Sequence, residues 1–519
     1  MEREFREASD MRPSVVGLAM VLAVGAILRF WALGSGIPFA VGPDEPEIMT
    51  RVVRMMQTGD FNPHVFGDPA LYVYVQLAVA CVRFVLGVGA GAFGSLASVS
   101  DANFYLWGRA VTALLGTATV YLVYLTGMRW GARHALLAAG LMAVIPDHVR
   151  ESHYVLTDVP MAFLTTLSFL LTLRALEKQT LGGFAWAGAA AGLAAATKYC
   201  GGLMLVAPVL AALLTPNPPR PRRSFALAAV GAAVGCFLVA APYTVLDLPG
   251  FLNGVAGALP SRAPNAEPGW LASLGHVSVT LWYPGMVLLF WGFVLGVVRA
   301  ILGPGKVRFT LLVVFPGIYF LLMSARTQIF ARHLMPLLPF ISLLAAIAIV
   351  SGVTVLRRFA IPRPARTSLI VALTVVAVLP PAVSSIAWAR AHGRPSTYTQ
   401  AYEWIVGHVP SDAGVVVESG TFRLPRPYRS MNVRQLIDRD YETYVRGRIT
   451  YAVLAGEGSA AVFDAPASDP NRFARYRKLL DRMSLVAAFK RPPAGRSPDI
   501  RIFRLTDDAS AAEPTRAPK

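Results

Sequence analysis

The chain has 519 residues, of which 55% are hydrophobic and only 15% charged, against about 25% charged in ordinary soluble domains. With a mean hydropathy of +0.51, most of its length cannot face water. The formal net charge of +18 sits in short clusters between apolar runs, without an aromatic-interleaved basic domain. This excludes nucleic acid as a partner and fits the cytoplasmic collars of a membrane protein.

The first apolar run, Val15 to Leu33, follows Arg3, Arg6 and Arg12. It resembles the start of a signal peptide, but no A-x-A-like site closes it, so it reads as an uncleaved first helix. About 20 apolar residues span a bilayer, and ten more runs lie near 107–128, 135–150, 158–175, 183–197, 201–215, 224–243, 281–302, 308–323, 333–350 and 367–388. The expectation is an α-helical polytopic membrane protein with about eleven spanning helices. With the N-terminus inside, every short inner loop is basic: Arg129 and Arg133; Arg174 and Lys178; Arg220, Arg222 and Arg223; Arg299, Lys306 and Arg308; Arg357, Arg358, Arg363 and Arg366. The long 34–106 and 244–280 segments, and everything after Trp388, then fall outside. The stretch 71–96 is apolar enough to span. Crossing there would invert the basic loops downstream, so it is placed as juxtamembrane helices in the outer interface.

From about 390 the pattern changes. A helical repeat at Tyr398 to Val409 and another at Arg472 to Met483 alternate with strand runs at Gly414 to Val417, Ile449 to Leu454, Leu485 to Phe489 and Ile500 to Leu505. This predicts a transmembrane domain over 1–389, a small extracytoplasmic α/β domain over 390–506 and a disordered tail over 507–519. Cys81, Cys200 and Cys236 show neither zinc spacing nor a disulfide framework and read as packing residues.

Ionisable residues at membrane depth are costly and are therefore functional candidates. In Gly42-Pro43-Asp44-Glu45-Pro46-Glu47, Asp44 and Glu47 are spaced as a capping-box-like start for a helix through Met56. The same spacing serves a carboxylate placed to deprotonate an incoming hydroxyl or amine, and spacing alone does not choose. The outer loop His148-Val149-Arg150-Glu151-Ser152-His153 leads to Thr157-Asp158-Val159-Pro160. Either Thr157 or Asp158 could cap the next helix, or Asp158 could be a second working carboxylate. His148, Glu151 and His153 offer the donor types a divalent metal takes, although their spacing is not distinctive. Lys198, with Tyr199, lies at an outer turn, where a lysine either snorkels or faces a lipid phosphate. Arg326 and Arg332, outer cations against the positive-inside trend, call for an anionic partner such as phosphate.

These residues stand in motifs that resemble a known group. "DE" after the first helix, "NPHVFGDPALYVY", "SHYVLTDVPMAF", "GLAAATKYCGGLMLV" and "RHLMPLLPFISLL" are similar, in colinear order over roughly residues 15 to 390, to the GT-C membrane glycosyltransferases. The nearest branch is the bacterial family 39 type, related to protein O-mannosyltransferases and the aminoarabinose transferase. The segment "YTQAYEWIVGHVPSDAGVVVES" through "PDIRIFRL" resembles the variable soluble domain of such proteins. The resemblance implies transfer of a sugar, with inversion, from a polyprenyl-phosphate donor to a lipid, glycan or protein acceptor at the outer face of a bacterial inner membrane. It implies Asp44 as catalytic base with Glu45 as companion, Asp158 as the second acid, and Lys198 and Arg332 against the donor phosphate. His153, Arg326 and Tyr199 are further substrate-binding candidates; no metal ligand is assigned, though a divalent metal stays open. One departure is Asp68-Pro69-Ala70-Leu71, where many relatives carry a Lys-Pro-Pro-Leu-like stretch. The competing readings are a polyprenyl-lipid or solute transporter or flippase, disfavoured because the candidates cluster at span ends without paired broken helices, and a non-catalytic assembly protein or receptor.

Overall fold

The structure is a computed structural model, and it describes residues 15–38, 42, 44–258, 269–303, 305–326, 329–355, 362–418, 424, 428–455, 459, 462–463, 465–490 and 498–505. The expectations for Arg3, Arg6 and Arg12, for Arg357 and Arg358, and for the 507–519 tail lie outside these residues. The chain divides into two compact units, Met1–Leu33 with Pro43–Ala387, and Gly34–Gly42 with Trp388–Lys519.

The first unit is helical. Apart from a single turn at Tyr243–Leu246, its described helices are α1 Val15–Phe30, α2 Glu45–Thr58, α3 Leu71–Gly89, α4 Tyr105–Gly127, α5 Ala132–Val144, α6 Pro146–Glu151, α7 Asp158–Lys178, α8 Leu181–Thr197, α9 Val206–Leu214, α10 Arg222–Ala240, α11 Leu248–Ala258, α12 Gly269–Leu302, α13 Lys306–Ser324, α14 Leu338–Val355 and α15 Arg363–His392, whose last residues fall in the second unit. Tight 3-10 turns, Tyr199–Leu205 and Ala331–Leu337, lead into α9 and α14. Among the described residues eight helical stretches are long and apolar enough to cross a membrane, and four shorter apolar stretches accompany them.

Each of the eleven expected runs carries a helix. The number of crossings is a separate matter. Helices of 13 and 17 residues, such as α5 and α8, reach about 20 to 26 Å at 1.5 Å per residue, less than a hydrocarbon core of about 30 Å. Conversely α12 begins at Gly269, well before the expected 281, and has 34 residues.

The disputed stretch 71–96 contains α3, which is also long and apolar enough to cross. It packs against α2 and α8, and its contacts with α4 fall at the beginning of that helix, in antiparallel order: the Tyr72 hydroxyl meets Thr112, Gln76 Nε2 donates to the Gly108 carbonyl at 3.3 Å, and the Arg83 guanidinium lies 5.9 Å from the Trp107 ring. Beyond the start of α4, Phe84 and Phe104 both stack or tilt against Phe93.

Close helix approach depends on small residues. Gly188 and Gly192 of α8 face Ala229 and Ala233 of α10 at matching four-residue spacing, and a Cβ on either glycine would run into an alanine backbone carbonyl. Small residues four apart let two backbones pack where no hydrophobic force drives them together. Gly192→Ala is expected to lower the thermal unfolding midpoint of the purified protein. The helix-propensity gain of up to about 1 kcal/mol cannot offset a clash with main chain. Gly231→Ala, where nothing lies within 4 Å of the added carbon, is the control and should hold or raise it.

The second unit carries α16 Thr397–His408, β1 Gly414–Glu418, β2 Arg429–Val433, α17 Tyr441–Arg446, β3 Ile449–Leu454, α18 Pro470–Leu480, β4 Met483–Phe489 and β5 Ile500–Leu505. The five-stranded sheet runs β2-β1-β3-β5-β4, with β1 parallel to β2 and β3, and β5 antiparallel to β3 and β4. The fully buried β1 is an inner strand, and Ser396 and Asp469 cap α16 and α18. The expected α/β elements are all present. The unexpected strand, β2, is a largely exposed edge of sequence RSMNV, whose alternating Met431 and Val433 pack on the core but are too few to mark a strand.

Candidate active site

Every residue of the site belongs to the first unit. Asp44 precedes α2, but its side chain makes no capping bond to the helix. Its Oδ2 instead accepts from Arg332 Nη2 at 2.9 Å. The carboxylate is 44% exposed and the guanidinium 19%, so this ion pair stands at an accessible mouth. Glu47, the other half of the anticipated capping box, pairs with Arg51 one turn along α2.

Glu45 points the other way. It is fully buried, its two oxygens accept from Arg109 Nε at 2.8 Å and Nη2 at 2.7 Å, and Oε1 also takes the Val155 backbone N–H at 2.8 Å. Arg109 donates further to the Leu33 carbonyl at 2.8 Å and lies 5.5 Å from the Tyr154 ring. This buried fork ties the end of the first helical segment, the start of α2, the first turns of α4 and the 154–156 stretch together. Glu45 is thereby a structural neighbour of Asp44, without exposure to a ligand.

Asp158 opens α7, and Thr157 does not cap it. The Asp158 side chain is 3% exposed and accepts from Lys198 Nζ at 2.8 Å. Lys198 ends α8 in extended conformation. Burial alone would lower its pKa, but the Asp158 and Asp68 carboxylates outweigh this and raise it to about 12, so the ammonium stays charged. Tyr199 donates its hydroxyl to the Phe66 carbonyl at 3.0 Å, which brings the loop carrying Asp68 to the same place.

The two ion pairs are neighbours. Helix α7 packs against the Ala331–Leu337 turn, and His333 of that turn lies within electrostatic reach of Lys198, Arg326, Arg332 and His276. Tyr319 of α13 joins the turns: its hydroxyl donates to the His333 carbonyl at 2.8 Å and stands 3.6 Å from Cys200 Sγ. Arg326, at the end of α13, is exposed. Lys198 and Arg332, expected against a donor phosphate, are here each paired with a carboxylate, one pair buried and one open. Opposite charges at membrane depth minimise desolvation cost by pairing.

The His148–His153 loop differs more from expectation. His153 is fully buried, with Nδ1 2.8 Å from the Val149 carbonyl and Nε2 2.9 Å from the Trp31 carbonyl, so neither nitrogen is offered to a substrate. His148 Nδ1 accepts from Arg29 Nη2 at 3.0 Å, and Glu151 accepts from Arg150 Nε at 2.9 Å. A metal needs these lone pairs free; here Nδ1 of His148 and both nitrogens of His153 are committed, and the cluster does not fit a divalent ion. Among the described residues no group of three or more His, Cys, Asp or Glu could hold one.

Sequence reasoning missed Arg29, Arg109 and Tyr319, and met Asp68 only as a departure from a resembled motif. The two arginines carried a readable signal, a charge inside an apolar run that requires a buried partner. Tyr319 carried none, since only the fold brings it to His333.

Comparison with known proteins bears on the fold that carries these residues. The sequence model of a family described as dolichyl-phosphate-mannose-protein mannosyltransferase matches residues 88–246. No curated protein sequence matches the chain. Among solved structures, ArnT from Cupriavidus metallidurans in the apo state aligns with a TM-score of 0.57 at 17% identity, covering 96% of this chain and 99% of that one. The same protein bound to undecaprenyl phosphate gives 0.54 at the same identity and coverage. The oligosaccharyltransferase AglB from Archaeoglobus fulgidus, in complex with an inhibitory peptide and a dolichol-phosphate, gives 0.53 at 13% identity, over 93% of this chain and 74% of that one. The resemblance read from the motifs therefore holds at the level of the fold.

Proposed function

We propose that this chain, with its GT-C fold, is a glycosyltransferase that moves a sugar from a polyprenyl-phosphate donor to an acceptor at the extracytoplasmic face, with inversion and with Asp44 as general base. The observation that carries the reading is Asp44 itself. It is a carboxylate at a helix start that declines the capping role, stays accessible, and is held by a cation able to exchange it for a phosphate. In the reaction the acceptor oxygen or nitrogen attacks the anomeric carbon opposite the phosphate. The bond from that carbon to the phosphate oxygen breaks, its electron pair leaves on the polyprenyl phosphate, and the acceptor proton passes to Asp44. General-base help of this kind is worth about 10²–10⁴-fold. Arg332, with exposed Arg326 beside it, neutralises the charge growing on the leaving phosphate, where a partly dry site strengthens the effect. Glu45 and Arg109 serve as positioning residues that fix the backbone beneath Asp44, and Asp158 holds Lys198.

Orientation is supported by the far ends of the same helices. Arg109 lies near the start of α4 and Asp158 at the start of α7, whereas Arg129 and Glu177 lie at their other ends, where Glu177 pairs with both Arg129 and Arg308. At 23 residues, α4 separates the two ends by about 34 Å. A basic cluster favours the inner side, which supports an outer site; the setting proposed with it is the inner membrane of a bacterium.

The functional test is the envelope chemistry of a strain lacking the chain. One glycolipid, glycan or glycoprotein should lose a sugar, recover it on complementation with the wild type and not with Asp44→Asn; an unchanged glycan profile counts against the reading. Because both nitrogens of His153 and Nδ1 of His148 are committed to protein partners, transfer by the purified protein is expected to survive strong chelation unchanged. A loss restored by added Mg²⁺ or Mn²⁺ would show that a metal enters elsewhere.

A further inference from the structure

Asp68 is a carboxylate that the reaction above does not use. It sits in the loop between α2 and α3, half-buried, and among the described residues no hydrogen bond reaches its oxygens. Nor does it cap α3, whose N-cap is Ala70, without a side-chain bond. Its charged neighbours are Lys198, Asp158, Glu47 and Arg51. Two of these already have partners: Lys198 is matched by Asp158 at 2.8 Å, and Arg51 by Glu47.

The loop holding Asp68 is fixed from several sides. Tyr199 donates to the Phe66 carbonyl, Asn62 Nδ2 donates to Asp247 Oδ2 at 2.8 Å, and the Phe66 ring meets Phe251 of α11 edge-on at 6.1 Å. Gly254 leaves room for the Phe66 side chain, which a Cβ there would strike. A loop with so many anchors presents Asp68 in a set position, while its other carboxylate, Asp60, is taken up by Arg54 and His64.

What ligand chemistry suits that carboxylate follows from charge. A second carboxylate beside Lys198 repels a phosphate, so Asp68 cannot serve the leaving group as the lysine of the resembled Lys-Pro-Pro-Leu-like stretch would. It can accept from neutral donors, and hydrogen bonds to a charged group are the stronger kind. Burial raises its pKa, Asp158 and Glu47 adding to the effect against Lys198, so the ionised form is under-solvated and gains most from an incoming hydroxyl.

We infer that Asp68 is a specificity residue that binds hydroxyl groups of the donor's sugar, while the arginines hold the phosphate. The assignment rests on the donor reading given under Proposed function, and the test separates the two. Full-length protein in nanodiscs is titrated with bare undecaprenyl phosphate and with its glucosyl, mannosyl and galactosyl esters. Wild type should bind at least one glycosylated lipid about 10-fold or more tighter than the bare one, the scale of a hydrogen bond to a charged group. In Asp68→Ala that ratio should fall to about one, and in Asp68→Asn it should fall part of the way, with bare-lipid affinity unchanged or tighter. Retained bare-lipid binding shows that the variants are folded. An unaltered ratio in Asp68→Ala, or a wild type that gains nothing from any sugar, overturns the assignment alone. A wild type that binds none of the four lipids overturns the donor reading, and this assignment with it.

Discussion

Asp44→Asn is expected to cut sugar transfer by about 10²–10⁴-fold, the range for removing a general base, with the donor lipid bound as well as before or better. The two halves of this result have one cause. Asparagine keeps the size of the side chain but cannot take the acceptor's proton, so the chemical step fails. The same change releases Arg332 from a 2.9 Å ion pair, leaving it free for the donor phosphate. A helix cap would behave differently. Asparagine caps as well as aspartate, and Asp44 makes no capping bond to lose, so stability should hardly move. Transfer within a few-fold of wild type would remove Asp44 as the base, and a matching loss of donor affinity would make it a binding residue instead.

The largest effect on stability is expected one residue away. Glu45 and Arg109 are both fully buried and joined by two hydrogen bonds, so changing one strands a charge. Removing a single partner of a buried pair costs about 3–5 kcal/mol, whereas replacing both with uncharged groups is often close to neutral. Arg109→Met should therefore give little folded protein and a steeply lowered unfolding midpoint. Adding Glu45→Gln should recover part of the loss, because the amide oxygen can still accept the Val155 N–H. If Arg109→Met alone matches wild type in thermal unfolding, the pair does not hold this corner together. Transfer by the double variant, where folded, should fall far less than with Asp44→Asn, which separates a positioning role from a catalytic one.

What could be read from the sequence follows from which signals are local. Apolar runs mark helices because each must satisfy its own backbone in lipid, so all eleven were visible, while short ones such as α5 left the count of crossings open. Asp44, Asp158, Lys198 and Arg332 were visible as charges out of place. Their pairing was not, because 40 residues separate Asp158 from Lys198 and only the packing of α7 on the Ala331–Leu337 turn brings the pairs together. His153 was misjudged because its composition matched a ligand cluster, while the carbonyls of Val149 and Trp31 that occupy it belong to the backbone, which carries no sequence label. Strand β2 was hidden for a related reason: a largely exposed edge is held by main-chain bonds to β1, and only Met431 and Val433 alternate toward the core.

The central claim, chemistry in place of transport, is tested most directly in vesicles containing the purified chain and undecaprenyl-phosphate-linked labelled sugars, supplied with an envelope extract as acceptor. The expected result is one bare undecaprenyl phosphate formed for each labelled sugar that appears on the acceptor, with neither formed by Asp44→Asn. Movement of intact donor lipid between leaflets by both proteins, with no sugar released, would contradict it.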